Sequence, residues 1–564
     1  MGDRRGFSGI QVIAIIGITF LLCMASMPMV VSMSGFTGSQ GIQGIQGIQG
    51  IQGIQGVKGD DGAFINGTSV IIDKGYLNDT YTDNLYLGGN KYYYTPFVRY
   101  NGWMVGSDIY FRDNLYGNTT IGTDIASLIQ THATESGTIH LGTGTFTVTH
   151  FYSPATNSYF AIPLRSNQIL EGEGWGTVVK LGDSVTNYGN NQCPVGTYTM
   201  GGNGNITVRD IMIDGNCDNQ GTTTANWEGI SFYGINKFYI NNVHVTRACS
   251  DGVDIDTSMD GFVTNCFIDY SRMTGFHPST STNSTLFVNC ISEYNGLYDT
   301  LDQSSGGFVC VQSNYDISFI NCVSRNDRNG LRVGGTRLKW EGSILTPVKY
   351  AVYNWDDTSQ YCFSGYFKGT FTSLPTVAQD FINIPRTESM IFDKCSIWVY
   401  GSYKAVTGVG SDSKFFGCYI NAPRRGIAVL SGKTNIQIQD CELQTDGYSP
   451  IDLNSATYCI VSGNILSGGV LNIDSSSKVY GNQGYVTESA GTSTITALLT
   501  SVTVSHGLSY TPTVKDLSLT PNSSLGAGSY VYADTFTSTQ FTIHIDTAPT
   551  TGSAVIGWSF RRTP

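Results

Sequence analysis

The sequence predicts an all-β protein whose body is a right-handed parallel β-helix, trimeric, with an N-terminal transmembrane helix and collagen-like triple-helical stalk and a C-terminal β-sandwich. Three observations carry this expectation. Short β-rich segments recur with a period of 23 residues, glycine occupies every third position over Gly35–Gly62, and Val12–Val31 is a 20-residue run without a charge. At 564 residues the chain exceeds one ordinary core, which calls for several domains or one elongated repetitive one. Only 13% of residues are charged, while Gly numbers 68 and Tyr 33, a balance suited to strands and turns rather than to a helical enzyme. The formal net charge of -12, tripled in a trimer, opposes a phosphate-binding surface, so nucleic acid is excluded as a partner.

The first segment, residues 1–34, carries the apolar run, long enough to cross ~30 Å of hydrocarbon as a helix. Arg4 and Arg5 precede it and the next basic residue is Lys58. The positive-inside rule then places the N-terminus within a cell or virion and the bulk outside. The expectation is a membrane-anchored chain, held through residues 12–31, with an extracellular or virion-surface ectodomain. Two alternatives stay open. Cys23 and Ala25 fit the small-residue cleavage site of a secretory signal, and "RRGFSGIQVIAIIGITFLL" resembles the leader of archaeal pilins and archaellins, which would be cut after Gly6. Six sequons, at Asn66, Asn78, Asn118, Asn205, Asn283 and Asn522, fit an outward-facing chain.

Residues 35–64 form the second segment. Ten glycines in strict register fit a triple helix, because only glycine fits at its crowded axis; this sets the copy number at three, a homotrimer. The run lacks proline and so depends on trimeric neighbours, and Lys58 beside Asp60 offers interchain ion pairs. At ~3.1 Å per residue the stalk would span roughly 90 Å. Residues 65–120, rich in Tyr and Asn, are expected to form a neck domain that aligns the three chains.

Residues 121–485 carry the repeat. "FYINNVHV", "FVTNCFID", "LFVNCISE", "SFINCVSR", "FDKCSIWV", "KFFGCYIN" and "IQIQDCEL" align on Asn242, Asn265, Asn289, Asn321, Lys394, Gly417 and Asp440. "ITVRDIMID" precedes them with Asp210, and "CIVSGNIL" follows with Gly463. Steps of 23 or 24 without helical periodicity fit one coil of a β-helix per repeat. Cys266, Cys290, Cys322, Cys395, Cys418 and Cys441 share one place in their repeats, an inward file of small thiols. A disulfide between neighbours such as Cys266 and Cys290 stays open. With no CxxC and no Cys/His cluster at zinc spacing, neither a metal nor a cofactor is expected. "DIASLIQTHATESGTIHLGTGTFTV" reads as a short amphipathic helix, Asp124 to about Ala133, followed by strands. The stretch Gly335–Met390 breaks the period and leaves two irregular coils or a lateral insertion open. Residues 486–564 alternate as strands with turns, a small β-sandwich tip.

These segments, with "LRSNQILEGEGWGTVVKL" opening the coil, resemble the pectate-lyase-like β-helix superfamily, especially trimeric viral tail spikes, over roughly residues 120–485. The resemblance implies a fold and a taste for carbohydrate. It leaves the chemistry open, since the superfamily holds lyases, hydrolases, epimerases and inactive binders.

Chemistry is sought where glycines open a strand: Gly252, Gly275, Gly330 and Gly426. Two residues on, Asp254, His277, Arg332 and Ala428 should share one face. Two repeats are nine residues longer than the period, and the surplus, "CDNQGTTTANWEG" and "LYDTLDQSSGG", should form walls on either side of Asp254 and His277. A glycosidase needs two carboxylates, for which Asp254 and Asp256 on one strand face, with Asp299 and Asp302 in the second wall, are candidates. A lyase or epimerase would use His277 as base and Arg332 to neutralise a uronate. "TGFHPS" is similar to the Asp-Pro-His strand of alginate epimerases, though the order differs and the aspartate is absent. Trp227, Tyr294 and Tyr298 offer aromatic faces for sugar rings. The expected function is a trimeric membrane-anchored spike that binds host surface polysaccharide or glycoprotein glycan, with hydrolase, lyase or pure binding open. A non-catalytic adhesin and a pilin-like filament component are the alternatives.

Overall fold

A computed structural model describes residues 98–561 apart from 156–157, 187–190, 222–226, 299–304, 312, 355–360, 376–379, 402, 469–470, 472–475, 485–487 and 509, and before them four short strands. The chain divides into two units, Met1–Tyr93 and Tyr94–Pro564. In the first, Ile65–Asn66 pairs antiparallel with Ser69–Val70, and Asn84–Leu87 with Asn90–Tyr93. The apolar run 12–31 and the glycine run 35–62 lie outside the described residues. The expectation of a membrane-anchored location is corrected: among the described residues no helix is long and apolar enough to cross a membrane.

The second unit is nearly all β. Its main body is a parallel β-helix, in which each coil pairs in parallel with the coil after it. Two long sheets result, one of 13 strands from Tyr152–Ala155 to Ile451–Asp452 and one of 28 strands. The pairing follows the period: Val263 lies beside Ile240 and Phe287, and Phe287 beside Phe319. Inward residues of successive coils therefore stack on their counterparts, as the buried, stacked rings of Phe367, Phe392 and Phe415 show.

The residues that mark the repeat are the corners of the coil. Asp210, Asn242, Asn265, Asn289, Asn321, Lys394, Gly417, Asp440 and Gly463 all have φ between 51° and 67°. Glycine takes this left-handed region freely, and Asn and Asp are the side chains that enter it most readily. The amides also link coils: Asn242 donates to Asp210 (2.8 Å), Asn289 to Asn265 (3.1 Å) and Asn321 to Asn289 (2.8 Å). Just past six of these corners stands a buried cysteine, while Ile211, Val243 and Asn464 follow Asp210, Asn242 and Gly463. Cys266, Cys290 and Cys322 form one file, which passes through Gly342 and Gly369 to Cys395, Cys418 and Cys441. All six thiols are free, so Cys266 and Cys290 are not joined; the disulfide of this structure links Cys217 and Cys249.

The irregular stretch resolves into two further coils. Lys339–Leu345 and Tyr366–Thr372 run straight through the corner position, pairing Gly342 with Gly369. A Cβ on Gly369 would lie 1.7 Å from the Gly342 carbonyl oxygen, so the close backbone approach there admits glycine alone. The polar corner residue and the cysteine are both missing, which is why the period vanishes from the sequence.

Helix α1, Ile125–His132, packs Ile125, Ala126, Leu128 and Ile129 against the first coil. Asp124 caps it, accepting from the Ala126 amide at 2.8 Å, while its other oxygen accepts from the Thr149 and His150 amides. Residues 98–120, expected within the neck, join the long sheet instead: Val98–Val105 runs parallel to Gly137–Leu141 and antiparallel to Asp108–Asp113. At the other end, two three-stranded antiparallel sheets enclose Ile495, Phe541, Ile543, Ile556 and Phe560.

Candidate functional site

Five strands of the 13-stranded sheet build the site: β1 (Ile230–Tyr233), β2 (Val253–Asp256), β3 (Phe276–Pro278), β4 (Phe308–Val309) and β5 (Leu331–Arg332). In register, Ser231 pairs with Asp254, Asp254 with His277, and Val309 with Arg332, one outward file flanked by an inward file of Ile230, Val253, Phe276, Phe308 and Leu331. Gly252 opens β2 because a Cβ there would meet Ile268 at 2.3 Å; successive coils pinch together at that point. Asp254, His277 and Arg332 thus share the face expected of them, with Val309 between the last two. Ala428 lies on the same file four strands further on.

Two acids join this cluster that the sequence reading passed over, each directly before a strand-opening glycine. Asp251 Oδ2 lies 2.8 Å from His277 Nδ1, and its Oδ1 accepts from the Thr274 amide at 2.9 Å. Asp254 Oδ1 stands 3.5 Å from the same imidazole nitrogen. Burial works to lower the His277 pKa, but the charge and hydrogen bond of Asp251 and the charge of Asp254 outweigh it, so the imidazole is held protonated above its usual range. Asp254 is pushed up to about 7, by burial first; the His277 charge opposes this, and Asp251 and Asp256 add to it. Glu228, 6% exposed, is raised well above the carboxylate range by burial and by Asp254, and it accepts a hydrogen bond from the buried Cys193 thiol at 2.9 Å.

The face therefore combines carboxyls of raised pKa with an imidazolium hydrogen-bonded to a further acid, a set able to move protons near neutral pH. One ligand atom each from Asp251, Asp254 and His277 lies within 4.8 Å of the others, a trio that could hold a divalent cation, although no metal was expected.

Asp256 follows Asp254 by two residues on β2, half-buried, with the Thr257 hydroxyl donating to it at 2.6 Å. The long insertions precede β1 and β4, on either side of β2 and β3. Asp299 and Asp302 lie outside the described residues. Trp227, expected as an exposed sugar platform, is 2% exposed and packs into the core, so its ring offers no free face. Tyr294 stacks on Tyr270, ring centroids 5.2 Å apart and 14° from parallel, and Tyr298 is 61% exposed. Tyr270 escaped the sequence reading. It ends its coil's strand as Tyr294 does, both at positive φ.

No family model matches the sequence, and no curated protein matches it. Among solved structures the chain is similar to the A-module of Azotobacter vinelandii mannuronan C-5 epimerase AlgE4, at 15% identity over 64% of this chain and 94% of that one, TM-score 0.41. The A-module of AlgE6 from the same organism gives 16% identity over 64% and 95%, TM-score 0.42. The tailspike protein of E. coli bacteriophage HK620 in complex with pentasaccharide gives 10% identity over 77% and 88%, TM-score 0.48.

Proposed function

We propose that this chain is a homotrimeric polysaccharide-binding protein that hydrolyses its glycan at the outward face of β2 and β3. The observation that carries the reading is Asp254, an outward carboxyl with its pKa raised to about 7 and an imidazolium 3.5 Å away. Asp254 gives its proton to the glycosidic oxygen as the C–O bond breaks, and the carboxylate left behind is stabilised by His277. Asp256 takes a proton from the water whose hydroxyl adds to the anomeric carbon. Two residues along a strand span roughly 6.6 Å, within the separation that leaves room for water and gives inversion. Three chains follow from the glycine run at 35–62.

The test is incubation of the purified chain with surface polysaccharides, followed by chromatography of the products. Hydrolysis predicts oligosaccharides with new reducing ends and no unsaturated ends. Unsaturated ends would instead make His277 and Arg332 the parts of a lyase. A polymer that is bound yet stays intact would overturn the catalytic reading and leave the stacked Tyr270 and Tyr294 as a binding platform.

A further inference from the structure

The corner ridge at Asn265, Asn289 and Asn321 is exposed, and the strands on either side of it carry apolar residues outward, with Thr264 and Ser318 among them before the corner and a charged file of Asp269, Glu293 and Arg325 beside them after it. On the side before the corner, Phe262 is 50% exposed, and Val288 and Ile320 are half-buried. On the side after it, Phe267, Ile291 and Val323 form one register file, also half-buried. Burial alternates as inward Val263, outward Asn265, inward Cys266, so the corner residue resets the alternation and the two strands belong to two facets. Further along the stack the first facet turns polar, carrying Lys339, Glu341, Lys414 and Gln437 outward. The apolar patch is thus confined to a few coils, and Glu293 with Arg325, paired at 2.8 Å, rims it. A contiguous patch of this kind on the outside of a sheet marks an interface.

We infer that this two-faceted corner is where three copies of the chain join, the ridge lying along the three-fold axis and the facet before the corner of each copy meeting the facet after the corner of the next. The inference rests on the three-chain reading of the glycine run and deepens it by naming the face. A single flat patch would suit one neighbour across a two-fold axis. Two apolar facets on one ridge suit two neighbours, and a heterologous contact closed by three-fold rotation supplies them. The sheet carrying Asp254 lies elsewhere on the coil, so the joint leaves the candidate site open.

Val288 and Ile291 belong to one coil, one on each facet, so three-fold contact brings Val288 of one copy level with Ile291 of the next. The full chain is prepared with Cys23→Ser, the free cysteines among the described residues being buried. Val288→Cys and Ile291→Cys are introduced singly and together, oxidised with copper phenanthroline, and run on non-reducing gels beside a native mass measurement. The double variant is expected to give a covalent band of three chains, each single variant none, and an equal mixture of the singles a band of two. Cross-linking of a single variant with itself would show a two-fold contact and overturn the inference. A three-chain mass with no cross-link in the double variant would overturn the face while leaving the three-chain reading. A single-chain mass would overturn both. None of these outcomes depends on whether a glycan is cleaved.

Discussion

Asp254 on β2 and His277 on β3 are register partners, and the carboxylate Oδ1 of the first lies 3.5 Å from Nδ1 of the second. Each acts on the other's proton. The imidazolium pulls the Asp254 pKa down against burial, and Asp254 helps hold the imidazole protonated. Replacing His277 by Gln removes the charge, so Asp254 should keep its proton to higher pH. A general acid works while protonated, so the alkaline limb of hydrolysis, near pH 7 in the native chain, should move upward in the variant. A rate profile over pH on both proteins reads the shift directly. An unmoved limb, or one displaced to lower pH, would sink the pairing as an electrostatic device.

The division of roles between Asp254 and Asp256 has its own signature. Asp254→Asn and Asp256→Asn should each lower the cleavage rate about 100-fold or more, the usual worth of a positioned acid or base. Polymer binding should persist in both, since neither change removes the surrounding face. Proton NMR taken early in the reaction should show the inverted anomer as first product. Retention of configuration would remove Asp256 as base and require a carboxylate closer to Asp254.

How far the sequence could be read shows in particular residues. The corner positions and the cysteine file were legible because both recur at 23 residues and are set by local geometry: a left-handed residue, then an inward small side chain. Asp254, His277 and Arg332 were legible because alternation from a strand-opening glycine fixes the face. Glu228 and Asp251 carried a signal too. They stand 23 residues apart, Asp251 directly before Gly252 and Glu228 directly before Gly229, which opens the preceding strand in the same way. Trp227 misled because an insertion beside a groove reads as a wall, whereas the residue next to Glu228 has already turned into the core. Gly342 and Gly369 erased the period by replacing the corner with a straight strand, a choice made by backbone packing between coils and not by any local pattern.

Asp327 should make stability pH-dependent. It is fully buried and accepts from the Ser324 hydroxyl at 2.6 Å and the Asn295 amide at 2.8 Å, yet burial dominates and pushes its carboxyl from 3.8 up to about 7. Between about pH 4 and 7 the folded chain holds a proton that the unfolded chain has released. Stability therefore falls as pH rises through that window and levels off above it. Asp327→Asn keeps an acceptor for the Asn295 amide and has nothing to titrate. Asp254 contributes with the same sign, so the comparison is between the two proteins at each pH. The native chain should lose more stability than the variant from pH 4 to 8 in denaturant unfolding, and parallel curves would place the Asp327 pKa at its ordinary value.

Asp440 isolates what the corner positions select. It is exposed, sits at φ 54° and lies between Gly417 and Gly463, its counterparts in the neighbouring coils, well away from the apolar ridge. If the left-handed backbone is the constraint, glycine should serve there as it does on either side, and Asp440→Gly should change stability by no more than about 0.5 kcal/mol. Valine crowds the following carbonyl in that conformation, so Asp440→Val should cost about 1–2 kcal/mol although no buried contact is lost. Denaturant midpoints of the two variants make the comparison. Equal costs would mean that the side chain, through its position beside Gly463, matters and the backbone conformation does not, and the corner would then need another cause in every coil that carries it.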